Sequence, residues 1–263
     1  ETVIPRQHKN LSLDDSIKRS TVLEMGKTSL SNNTLDFMPI YMNLVQKFEY
    51  YPGSPFGSFS GAEAPLDFVA DQLRSFSGMS IDLRRNKSLV KEACEVVLPL
   101  VYKWGIPANP HPEGSVFLPL HMPTFMREKD FIEVYMPTFK KQLQQYAALG
   151  IRPQIFCEDN WMRYLDIIYD EFPAGSMLLF EYGDPKTIKD KLGKKFMLSG
   201  LFPISSLRTD TPAQIIDRAK KFLDIMMPGG GYLFSFDKNP LAAKDANIET
   251  WAALNEFLRD YMV

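Results

Sequence analysis

The hydrophobic pattern becomes regular from residue 62 onward. Leu66, Val69, Ala70 and Leu73 fall at helical spacing and predict a helix over 62–76 with one buried face. Asn86 is placed to cap a long helix. Its apolar positions are Leu89, Val90, Ala93, Val96, Val97, Leu100, Val101 and Trp104, Gly105 stops it, and Cys94 packs within it. A strand–helix rhythm follows. Strands are predicted over 116–120, 151–156, 177–180, 196–198 and 232–236. Between them lie helices over 130–149 (stopped by Gly150), 161–172, 185–192 and one opening at Thr211-Pro212, with a final amphipathic helix over 248–262. The Gly/Ser/Pro-rich stretch PGSPFGSFSG holds one more short strand near 56–59. Alternating strands and helices imply parallel pairing through right-handed crossovers. The expected fold is therefore α/β, a (β/α)8 TIM-type barrel incomplete at its N-terminus, because about six strands are found and a full barrel needs eight in ~250 residues. An open doubly wound sheet is the alternative. No GxGxxG or GxxxxGK[ST] loop follows a strand, and the glycines at 229–231 precede one, the wrong order for a phosphate cradle.

The first fifty residues read differently. Ser12 and Asp15 resemble a capping box, with Ile17, Val22, Leu23 and Met25 on one short helix. DFMPIYMNLVQKFEYY is apolar and aromatic, fit either for the core or for a neighbouring subunit. Two regions are expected: an irregular arm over 1–50, which favours self-association, and a barrel domain over 51–263. The chain starts at Glu1, so an upstream segment is expected.

Composition narrows the function. The formal charge of -2 leaves no clustered positive surface for nucleic acid. Two cysteines build no disulfide framework, and with no signal peptide or membrane-spanning run the reading is cytoplasmic. Chemistry concentrates where predicted strands end, the position at which barrel enzymes carry their sites. Cys157, Glu158 and Asp159 follow one strand, His121 another, Glu181 a third, Ser199 a fourth, and Asp237 with Lys238 the last. Such an acidic mouth with one imidazole and one ammonium can bind a cation, a metal or an amine, or move protons. Each residue also has a plainer role: Cys157 as a small core residue, Asp159 or Asn160 as a helix cap, His121 as a structural histidine, Glu181 facing solvent, and Lys238 paired with Asp237 or Glu181.

Four segments together resemble the uroporphyrinogen decarboxylase superfamily, which includes zinc-dependent methyltransferases that work with corrinoid proteins. FLPLHMPTFMREKDFIEVYMPTFKKQL is similar to its strand, loop and helix bearing an "SPE-FxEFxxPxxKK" pattern. IRPQIFCEDN is similar to the strand carrying the methyltransferases' His-x-Cys, SGLFPISSLRTDTPAQIIDRAKKFLDIM to "GNxDPxxLLxGTPEEI", and PGGGYLFSFDKN to "GGGFILSPGC". The resemblance covers roughly 55–263 and implies a (β/α)8 barrel and methyl transfer between a small substrate and a corrinoid protein or thiol carrier. Tetrapyrrole decarboxylation and a non-catalytic barrel subunit are the alternatives. It implies zinc at Cys157. The family's histidine falls on Ile155 and its later cysteine on Lys238, so His121, Glu158, Asp159, Glu181 and Asp237 are the substitute ligands. The catalytic set implied is Cys157, Glu158, His121 and Glu181, with Asp159, Ser199, Asp237 and Lys238 against the substrate.

Overall fold

Strand order along the sheet follows chain order. A computed structural model describes residues 59–107 and 114–261, and the expectations for the first 58 residues lie outside that range. Its strands are β1 (Phe59–Gly61), β2 (Ser115–Leu120), β3 (Arg152–Asn160), β4 (Met177–Tyr182), β5 (Met197–Gly200) and β6 (Tyr232–Leu233). They form one sheet of order β1-β2-β3-β4-β5-β6, parallel throughout. A doubly wound sheet reverses its strand order at a switch point, and this one does not. Consecutive parallel order is the arrangement of a TIM-type barrel. Among the described residues, six strands are present and β1 and β6 are not paired to each other.

Helices link the strands: α1 (Pro65–Phe68), α2 (Phe76–Arg85) and α3 (Lys87–Trp104) between β1 and β2, α4 (Met136–Ala148) before β3, α5 (Leu165–Glu171), α6 (Pro185–Leu192), α7 (Pro212–Met226) and, after β6, α8 (Ile248–Tyr261). Thr211 closes a reciprocal capping box with Gln214 at the start of α7, where Pro212 also sits.

Side-chain alternation divides the sheet into two unlike faces. Val116, Leu118, Leu120, Ile155, Cys157, Leu178, Phe180 and Leu198 are buried together with helix residues such as Phe139, Leu143, Ile168 and Ile188. The opposite face carries Phe117, Phe156 and Leu179, all half-buried, and ends at the strand tips in His121, Glu158 and Glu181. Phe117 and Phe156 stack there with centroids 6.4 Å apart.

Several expectations are corrected. The helix expected over 62–76 breaks at Ser75, whose φ is 69°, and α2 follows at once. β3 runs four residues past Phe156, to Asn160. In α3 the buried side is Val90, Cys94, Val97, Leu98 and Val101, whereas Leu89, Val96, Leu100 and Trp104 are exposed, Val96 to 72%. Apolar residues cover more than half that helix's circumference, so spacing alone did not select the face. Asn86 precedes α3 but its amide donates to Asp82 Oδ1 at 3.1 Å instead of capping. Among the described residues, no helix is long and apolar enough to cross a membrane.

Candidate binding site at the C-terminal strand ends

The site assembles around His121, the residue after β2. Its Nδ1 meets an Asp71 carboxylate oxygen, and its Nε2 lies 3.3 Å from Glu158 Oε1 at the end of β3. The hydrogen bond to Glu158, reinforced by that to Asp71, outweighs partial burial and pushes the imidazole up to about 10. At neutral pH the ring therefore carries both protons, and it donates to a carboxylate on either side. It is a poor base in this state and serves to hold two anions at fixed positions.

Asp71 lies in a π-helical turn, Val69–Arg74, that continues α1. Four residues earlier, Asp67 is completely buried and accepts from the Met122 amide at 2.8 Å and the Tyr135 hydroxyl at 2.6 Å. Burial pushes Asp67 up to about 7, against the pull of those two donors. Glu63, four residues earlier still, is also raised by burial, and its Oε1 accepts from Gln72 at 2.8 Å. Glu63, Asp67 and Asp71 form a carboxylate ladder at four-residue spacing. The sequence analysis missed all three, although that spacing is itself readable in the sequence.

A second cluster lies beside the first. Lys238 Nζ contacts Glu181 Oε1 at 2.5 Å, and Glu181 Oε2 accepts the Asp159 amide at 2.8 Å. Burial would raise Glu181, but Lys238 and the Asp159 amide hold it below the ordinary carboxylate range. The amide reaches because β3 and β4 shift register between Cys157 and Asn160, and Asp159 takes a left-handed φ of 59°. The Asp159 side chain is left exposed at the mouth. Below, Arg163 donates to the carbonyls of Pro123, Thr124 and Met126, fastening the loop that follows His121.

The structure brings His121, Glu158, Asp159, Glu181 and Lys238 to one end of the sheet, with Asp237 next to Lys238, and gives Cys157, Ser199 and Asp237 structural surroundings instead. Cys157 faces the helices, fully buried, and burial alone pushes its thiol well above its ordinary value. The expectation of a metal-binding or catalytic thiol there is corrected. Ile155 shares its face, so the family's metal-binding pair maps onto core positions. Ser199 is buried and spends its hydroxyl on the Leu233 carbonyl at 2.9 Å. Asp237 Oδ1 accepts the Ile204 and Lys238 amides at 2.9 Å each, which makes it a loop staple. Among the described residues no group of three His, Cys, Asp or Glu side chains is arranged to hold a metal. With its thiol averted and His121 already spanning two carboxylates, this donor set does not fit zinc.

Fold and site together define the class: a parallel β/α protein with the consecutive strand order of a TIM-type barrel and a polar cluster at the C-terminal strand ends. The fold is similar to that of a methyltransferase from Methanosarcina mazei, with a TM-score of 0.60 and 15% sequence identity, over 86% of this chain and 65% of that one. This chain thus spans about two thirds of that chain's length, and at such identity the likeness is one of fold. The sequence matches no protein-family model and no curated protein.

Proposed function

We propose that this protein is a methyltransferase-like member of the barrel class that binds a small cationic, methyl-bearing substrate at its acidic mouth and passes the methyl group to a corrinoid protein or a thiol carrier. One observation carries the reading: His121 holds Asp71 and Glu158 at set positions on the half-open face of the sheet. The exposed Asp159 carboxylate adds to the negative field, Glu181 being paired with Lys238, and the stacked Phe117 and Phe156 lie deeper on the same face. A methylated ammonium would meet carboxylates at the rim and aromatic faces below, an arrangement that favours such cations. The fold of the Methanosarcina mazei methyltransferase and the four sequence segments support the transfer chemistry. A corrinoid on a partner would supply the methyl acceptor. The chain's own residues bind and orient the substrate.

The same geometry weighs against a polycarboxylated tetrapyrrole. The two cations at the mouth, His121 and Lys238, are each already held by carboxylates. Calorimetric titration with tetramethylammonium tests the reading. Saturable binding is expected, weakened about tenfold in Glu158→Gln or Asp71→Asn, the loss of roughly 1.4 kcal/mol. Flat heats in wild type, with no methylated cobalamin formed from methylammonium salts and reduced cobalamin, would sink it.

A further inference from the structure

Both π-helical stretches among the described residues carry a side chain of the network that holds His121 and the residue after it. The first, Val69–Arg74, begins two residues after Asp67 and carries Asp71. The second, Phe131–Tyr135, ends in Tyr135, whose hydroxyl donates to Asp67 Oδ2 at 2.6 Å. A π-turn inserts a residue into a helix and re-aims the side chains around it, which is why such turns collect at functional sites. Here the first aims Asp71 at the His121 ring and the second aims Tyr135 at Asp67.

Asp67 is an unusual residue to bury. A carboxylate without solvent is costly unless donors hold it, and two do, from two other elements. Met122, whose amide is one of them, is the residue directly after His121. Tyr135, the other, is itself buried, with the rings of Phe131 and Phe139 at 5.4 Å on either side. The helical stretch after β1 therefore grips His121 twice. Asp67 holds the backbone just beyond it, and Asp71 holds its ring. The titratable neighbours of Asp67 are Tyr135, His121, Asp71 and Cys94.

We propose that Asp67, backed by Tyr135, is a positioning residue for His121: it fixes the chain at Met122 so that the imidazole reaches Asp71 and Glu158 together. The inference deepens the proposed function and rests on His121 belonging to the working site. Its test reads the imidazole directly. The chain has three histidines, so long-range proton–nitrogen NMR resolves them, and His121→Asn assigns the signal. In the ligand-free wild type, both His121 nitrogens should stay protonated through neutral pH, with a midpoint near the expected value of about 10. Tyr135→Phe removes one of the two donors that hold Asp67 and leaves its carboxyl group in place. It should lower that midpoint by a few tenths of a unit or more, and Asp67→Asn by about one unit, a tenfold change in proton affinity. Leu143→Ala, a core change away from the clamp, should leave it in place. A folded Tyr135→Phe protein with an unmoved His121 midpoint overturns the proposal, and that variant decides alone if Asp67→Asn does not fold. A His121 midpoint that is raised in the wild type and lowered in Tyr135→Phe, in a protein that fails to bind tetramethylammonium, would refute the proposed function and leave this inference standing.

Discussion

His121 and Cys157 show how far a single residue's role depends on which side of a strand it occupies. His121 is charged by its two carboxylates, and this has a signed consequence. A folded-state value raised from 6.5 to about 10 contributes stability that is complete below the unfolded value and lost as pH rises through the folded one. Between those limits the denaturant midpoint of the wild type should fall, and His121→Asn should remove that part of the slope. Asp67 acts in a lower window. Raised from 3.8 to about 7, it contributes most at acid pH and loses that contribution as pH climbs to neutrality. Cys157 invites a different test. In a fully buried apolar setting, Cys157→Ser strands a hydroxyl and should cost about 1–3 kcal/mol, more than Cys157→Ala, with tetramethylammonium binding retained in both. Equal loss of binding in the two variants at full stability would return the thiol to the site. The sequence analysis placed Cys157 and Glu158 together because they are adjacent. Adjacency in a strand is separation in space, and a strand expected to end at Phe156, four residues short of Asn160, left both outside the alternation.

The elements were legible in proportion to the strength of their end signals. Pro185–Leu192 was read with the bounds it has, and the start of α7 was read from Thr211-Pro212. Both begin with a capping side chain followed by proline. Thr211→Ala should cost about 1 kcal/mol, measurable by urea melting. By contrast, α2 was missed. Its first turns hold Ser77, Gly78 and Ser80, which favour helix poorly, and its start is fixed by the Ser75 backbone. The π-turns left no trace in spacing either, since one extra residue shifts a helical stripe only locally. α3 shows the opposite failure, a signal too broad to give direction. Replacing its outward Val96 with lysine should change stability by less than ~0.5 kcal/mol, whereas Leu98→Ala on the inward side should cost roughly 2–5 kcal/mol. At the end of β5, Gly200 has a φ of 82°, and a Cβ there would come within 2.4 Å of the Phe180 carbonyl oxygen. Gly200→Ala should therefore destabilise by more than ~1 kcal/mol, which thermal unfolding would register.

At the scale of the molecule, parallel pairing and the placing of chemistry at strand ends could both be read from the rhythm of the chain. The rhythm alone left the strand order open between a barrel and a doubly wound sheet, because pairing partners are chosen by packing between distant segments rather than by any local pattern, and the consecutive order found is that of the barrel expectation. Once known, that order says how the site comes into being. Every strand pairs with its sequence neighbour, so no contact in the sheet must wait for a distant segment. Glu63, Asp67, Asp71, His121, Tyr135 and Glu158 all belong to the span from β1 to β3. During synthesis this part leaves the ribosome before β4, β5 and β6. The imidazole and its carboxylates can thus be gathered before Lys238 exists to reach Glu181. The mouth is encoded in two parts, its charged heart within the first three strands and its outer bridge closed from beyond the sixth.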